Sequence, residues 1–284
     1  LFERGPERRP KRAAYALPML FTAGNVFLGF LAIARSFQGA LLAMTGHLGH
    51  NEHFEVAAKA IGVAVLLDGL DGRIARLTRT TSEFGKEMDS LADVVSFGVA
   101  PACLALAWGA QFVDGPANRV VQEQLRGAAY FVAFLFLLCG AVRLARFNVQ
   151  KNPVPKNPGR ADRKYFVGLP IPAAAGLVAA VVYAADSAPL EFWPLSVAWV
   201  LLLALLAFLM VSTWRYRSLK DIHLLRPLSP LTVILWGALF WLVWNFSRPV
   251  LLTIAGYYVA SGIVIRIGGA VRRRWRRLRP APAA

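Results

Sequence analysis

Along the chain, apolar residues gather into eight long segments separated by polar turns. They cover approximately residues 15–36, 54–77, 87–110, 127–147, 168–186, 193–212, 229–246 and 250–268. Each reaches about 17–25 residues, the helical length that crosses a bilayer. A run such as Trp199 to Val211, WVLLLALLAFLMV, has no alternation of apolar and polar positions, so a membrane β-barrel is excluded. The pattern predicts an all-α, polytopic membrane helix bundle of about eight transmembrane helices. The second and third segments carry acidic residues and are less uniformly apolar than the others. Residues 1–14 read as a basic arm or short interfacial helix, and 269–284, with RRRWRRLRPAPAA at its heart, as a basic tail. The longest polar loop, about Asn148 to Phe166, holds Pro153, Pro155 and Pro158 and is expected to be extended.

Composition sharpens the class. Of 284 residues, 57% are hydrophobic and 17% charged, with a mean hydropathy of +0.49. Soluble domains average about 45–50% apolar and about 25% charged residues. The net charge of +16 raises the possibility of nucleic-acid binding, but its distribution argues for orientation instead. With the N-terminus in the cytoplasm, all of the 32 Lys and Arg except Arg35, Lys59, Arg119, Arg126 and Arg248 fall on the cytoplasmic side. The positive-inside rule then places both termini in the cytoplasm with an even number of spans. The basic surface attracts anionic lipids, and nucleic acid is not expected as a partner. Cys103 and Cys139 sit in apolar segments and read as small buried residues rather than a disulfide or zinc motif. The first apolar run is too long for a signal-peptide core, so no cleaved leader is expected.

The chemistry concentrates in residues 68–93, DGLDGRIARLTRTTSEFGKEMDSLAD. Asp68, Asp71, Gly72, Ala75 and Arg76 share one face of a helix, and Gly85, Asp89 and Asp93 share one face of the next. The polar turn between them is short, so the two acidic faces are predicted to meet. An ionised carboxylate within a bilayer costs at least a few kcal/mol, and four together repel. Nearby arginines offset part of this. Hard divalent cations do so better, because carboxylate oxygens are their preferred ligands. Four carboxylates suit a pair of such ions, an arrangement used for phosphoryl chemistry. The small residues leave a slot in which a ligand can approach the backbone, and Arg76 can hold a diphosphate.

The spacing D-x-x-D-G-x-x-A-R, eight residues, then G-x-x-x-D-x-x-x-D resembles the signature of the CDP-alcohol phosphatidyltransferase family. The resemblance implies a divalent metal site for two ions, Mg²⁺ or Mn²⁺, held by Asp68, Asp71, Asp89 and Asp93. It implies that Asp93 is also the catalytic general base, that Gly72, Ala75 and Gly85 line a cytidine slot, and that Arg76 holds phosphate. It further implies CDP-diacylglycerol as donor, an alcohol acceptor and a homodimer. A six-helix core would occupy 15–215, and 216–268 would be a two-helix extension. The protein would sit in a bacterial or archaeal inner membrane with its site facing the cytoplasm.

The acceptor is read from other segments. LPMLFTAGNVFLGFLAI in the first span, RLARFNV at Arg143 to Val149 and YFVGLPIPAAAG at Tyr165 to Gly176 resemble the serine-using branch of that family, with Met19 where that branch has Asn. L-Serine is therefore the expected acceptor. Arg143 and Arg146, three apart on a helix, could grip its carboxylate, and Asn148 could bond substrate or cap the helix. Asn25 is a lone amide in an apolar span. Another acceptor, such as glycerol 3-phosphate or inositol phosphate, is an alternative. An ion-coupled transporter is a further one, although no repeat is present to support it. His47, His50 and His53 near Glu52 have a spacing that permits a metal, on the side opposite the aspartates.

Overall fold

The structure is a computed structural model and describes residues 12–77, 83–112, 119–151, 165–217, 237–238 and 241–278. In chain order the elements are α1 (Arg12–Met44), α2 (Glu52–Leu77), α3 (Glu83–Asp93), a π-helical turn (Val94–Val99) and α4 (Ala100–Gly109). They continue with α5 (Arg119–Lys151), β1 (Tyr165–Val167), α6 (Ile171–Ala184), α7 (Trp193–Val211), β2 (Arg215–Arg217) and α8 (Ser247–Leu278). Among the described residues, five helical runs are long and apolar enough to cross a membrane. They are Met19–Met44, Glu83–Gly109, Val121–Val149, Trp193–Val211 and Ser247–Arg266. The chain is an integral membrane protein. α2, which carries Glu55, Lys59 and Asp68 along its apolar stretch, is not among them, and α6 is an apolar helix of 14 residues. The predicted span 229–246 lies largely outside the described residues.

Local chemistry sets the ends of these helices. Asn51, fully buried, caps α2: its side-chain oxygen accepts the His53 N–H at 3.1 Å, while its Nδ2 donates to the Gly39 carbonyl at 3.0 Å. That second bond ties α2 to α1, whose Gly39 lies so close to the Phe54 ring that a Cβ would meet it at 2.7 Å. α6 is shorter than its apolar run of 168–186 because both ends are spent on turns. At its start Gly168 has φ +80 and Pro170 forms the cap. At its end Asp186 and Ser187 take left-handed φ values of 58 and 56, and the Ser187 N–H reaches back to the Val182 carbonyl at 3.0 Å.

One feature has no counterpart in the apolar periodicity. β1 and β2 pair antiparallel, with Phe166 opposite Tyr216. The pair joins the approach to α6 to the exit of α7. The Gly168 N–H donates to the Trp214 carbonyl at 2.8 Å and the Leu169 N–H to the Leu209 carbonyl at 3.0 Å.

The interior is built largely from small residues, which let helices approach closely where water supplies no driving force. Ala32, Ala57, Ala64, Ala100, Ala174 and Ala175 are all buried. Larger side chains lock α4 to α7. Trp108 and Trp199 stack edge-to-face with centroids 5.0 Å apart, the Trp199 indole donates to the Ala105 carbonyl at 3.0 Å, and Ser196 Oγ donates to the Gly109 carbonyl at 2.6 Å. Phe27, Phe30 and Phe37 on α1, and Phe131 and Phe134 on α5, are exposed, as suits surfaces that meet lipid tails.

Candidate active site

Asp68 stands on α2, and Asp89 and Asp93 stand one turn apart on α3. Carboxylate oxygens of all three lie within 4.8 Å of one another. Asp93 is buried and the other two are half-buried. At such separations each pair of charges repels by roughly 3–4 kcal/mol at an effective dielectric of about 20. An all-oxygen donor set of this kind fits a hard divalent cation. Asp71, Gly72, Ala75 and Arg76 lie on the last turns of α2, but their side-chain surroundings lie outside the described residues.

The carboxylates occupy the polar end of a cavity of about 1790 Å³ lined by α2, α3, α5, α6 and α8. Arg143 and Asn148 of α5 and Tyr258 of α8 line this end. The cavity then runs between apolar walls that include Leu66, Ala180, Leu251 and Ile254, as far as Lys59 and Tyr183. Asp68 lies nine helical steps beyond Lys59, roughly 14 Å at 1.5 Å per residue. A charged group and a long apolar chain can therefore occupy one continuous space.

Two further contacts fix the site. Asn148 Nδ2 donates to Ser90 Oγ at 2.8 Å, and Ser90 Oγ donates to the Lys86 carbonyl at 2.9 Å. This chain joins α5 to α3 next to Asp89. On the other side of α3, the helix widens immediately after Asp93. The Ala100 N–H bonds to the Val95 carbonyl, five residues back. The widened turn precedes Pro101, which cannot donate and whose ring crowds the carbonyl four residues earlier. Within it Ser96 Oγ donates to the Asn25 carbonyl at 2.8 Å. Gly29 allows this approach, since a Cβ there would meet Ser96 Oγ at 2.6 Å.

Residues 15–244 match the family model for CDP-alcohol phosphatidyltransferase. The chain belongs to that family. Among curated proteins, this phosphatidyltransferase is 36% identical over 259 residues to a Helicobacter pylori protein named CDP-diacylglycerol–serine O-phosphatidyltransferase. That alignment covers 90% of this chain and 92% of the relative. A Saccharomyces cerevisiae protein of the same name is 38% identical over 159 residues, covering 56% of this chain and 50% of the relative. The archaetidylserine synthase of Methanothermobacter thermautotrophicus is 38% identical over 162 residues, covering 56% and 54%.

The structure sorts the other sequence candidates. Gly85 lies one turn before Asp89 on α3. Arg143 lines the cavity, and its Nε has no hydrogen-bond partner among the described residues. Arg146 is exposed, donates to the Val211 carbonyl at the end of α7 at 3.4 Å, and is not part of the cavity wall. The three histidines take separate partners. His47 bonds to the His50 carbonyl, His50 to Glu55 and Asp186, and His53 to Arg35. Among the described residues the aspartates form the only group of metal-ligating side chains. Ser90 and Tyr258 had no motif to reveal them. A serine on a polar helix and a tyrosine in an apolar one both read as ordinary positions.

Proposed function

We propose that this enzyme transfers the phosphatidyl group of CDP-diacylglycerol to the hydroxyl of L-serine and releases CMP. The observation that carries the reading is the convergence of Asp68, Asp89 and Asp93 at the polar end of a long, otherwise apolar cavity. The names of the relatives support serine as the acceptor.

In this reading Asp68, Asp71, Asp89 and Asp93 hold two divalent ions, Mg²⁺ or Mn²⁺. When bound, the metal supplies charge neutralisation for the diphosphate and the departing CMP. Gly72, Ala75 and Gly85 line the cytidine slot and Arg76 holds phosphate. The diacylglycerol tails lie along the apolar walls. Asp93 takes the proton from the acceptor hydroxyl as that oxygen attacks the β-phosphorus. The bond from the β-phosphorus to the bridging oxygen breaks, and CMP leaves. Asn148 holds α5 against α3, and Arg143 faces the acceptor. Arg146 serves the helix end. The chain crosses the membrane eight times with both termini and the site in the cytoplasm, the part after 215 extends the core, and two copies form a homodimer.

The test is purified protein with CDP-diacylglycerol, Mg²⁺ or Mn²⁺, and a panel of L-serine, glycerol 3-phosphate and inositol phosphate, read as CMP release. CMP release with serine is expected. CMP release with glycerol 3-phosphate alone overturns the acceptor, and none with any alcohol overturns the activity.

A further inference from the structure

The family match ends at residue 244, before α8 begins at Ser247, yet α8 forms one wall of the cavity. Tyr258 is an aromatic residue of that wall. It lies within electrostatic reach of Arg143, as does Asp93. Its position is set from behind. The Tyr216 ring of β2, fully buried, lies 6.0 Å from the Tyr258 ring. α8 comes so close to Tyr216 at Gly262 that any Cβ there would overlap the ring. The β1–β2 pair thus works as an anvil that holds α8, and with it the Tyr258 phenol, against the α5 side of the cavity.

Arg143, whose buried Nε has no hydrogen-bond partner among the described residues, lines the cavity together with Tyr258. A guanidinium and a phenol lining one cavity are two donors suited to one carboxylate. In serine only three bonds separate the carboxylate carbon from the hydroxyl oxygen. A carboxylate held at Arg143 therefore leaves the hydroxyl on the side of Asp93. We infer that Tyr258 and Arg143 together clamp the carboxylate of an amino-acid acceptor, which makes Tyr258 a specificity-determining residue carried by the helix beyond the family match. This inference rests on the proposed serine reading.

The experiment compares wild type and Tyr258→Phe with L-serine and with L-serinamide, which keeps the hydroxyl and ammonium but lacks the carboxylate. KM and kcat are measured for both acceptors, and KM for CDP-diacylglycerol is measured on the same preparations. Loss of one hydrogen bond to a charged group predicts a KM for L-serine raised about tenfold. The donor KM and the serinamide parameters are expected to stay within about twofold, which also reports an intact fold. An unchanged serine KM, or an equal loss with both acceptors, overturns the clamp. If Tyr258→Phe does not yield monodisperse protein, the wild-type comparison decides. A KM for serinamide at least about tenfold above that for serine supports a carboxylate clamp, and equal values overturn it. Wild-type protein inactive with every hydroxyl-bearing amino acid overturns the serine reading itself. Wild type active with serine alongside an unaffected Tyr258→Phe overturns only the role of Tyr258.

Discussion

Asp93 stands where two roles meet, since a carboxylate among other carboxylates can ligate metal and can also accept a proton. In the proposed mechanism, replacing it with Asn removes the base while keeping shape and one ligating oxygen. The expected outcome for Asp93→Asn is a kcat lowered by at least roughly 100-fold with the donor still bound, measured by CMP release and by equilibrium binding of CDP-diacylglycerol. Loss of donor binding would instead make Asp93 chiefly a ligand. The aspartates were legible because charge inside an apolar segment is costly and their offsets of three and four residues fix a face. Arg143 was legible for its charge, but its neighbour Arg146, with the same charge, turns to the end of α7. Only the packing of α5 against α7 separates the two. Tyr258 and Tyr216 could not be read at all. They meet across more than forty residues of sequence, and aromatic residues in or beside apolar segments are commonplace.

The all-helical class was legible, and five membrane-length helical runs stand among the described residues, but helix ends were less so. The apolar run at 15–36 continues as α1 to Met44, because Gly39 and Ala43 pack on as well as Ala32 does. The run at 168–186 loses residues at both ends to turns whose geometry depends on contacts with α7. Gly168 is the sharpest case. Its φ of +80 and a virtual Cβ only 2.5 Å from the Met210 carbonyl oxygen leave no room for a side chain. Gly168→Ala should lower unfolding stability by at least roughly 1–2 kcal/mol, read from thermal unfolding in detergent. It should also weaken activity, because the same turn aims Pro170 and Ile171 into the cavity wall. A melting temperature equal to wild type would refute the close approach. The β1–β2 pair escaped the sequence reading because three-residue strands carry no periodicity.

For the whole molecule, the cavity connects two chemically different ends. The carboxylates occupy one. At the other, residues from three helices and their connections form an ion network. His50 contacts Glu55 and Asp186 at 3.1 and 3.4 Å, Arg248 pairs with Asp186 at 2.5 Å, and Lys59 pairs with Glu55 at 2.5 Å. Lys59 and Arg248 also flank the Tyr183 ring, each 5.5 Å from its centroid. Asp186 is 56% exposed, so the network is screened. Asp186→Ala is expected to cost no more than about 1 kcal/mol of stability and to leave kcat/KM for serine unchanged; a large loss of turnover would show that the two ends are coupled. The π-helical turn between Asp93 and α4 has a consequence of another kind. A helix advances about 100° per residue, and the widened turn takes up one residue without passing that rotation on. Deleting a single residue from 94–99 should let the segment close into uninterrupted α-helix. α4 would keep its grip on α7 and Asp93 its face toward Asp68, because the residue removed is the one whose rotation the turn had absorbed. Such a variant should insert into membranes normally and keep measurable CMP release; complete loss would show that the widened turn itself, with its Ser96 contact to Asn25, is needed. The turn that widens the helix is also the place where its length can change without re-aiming the aspartates.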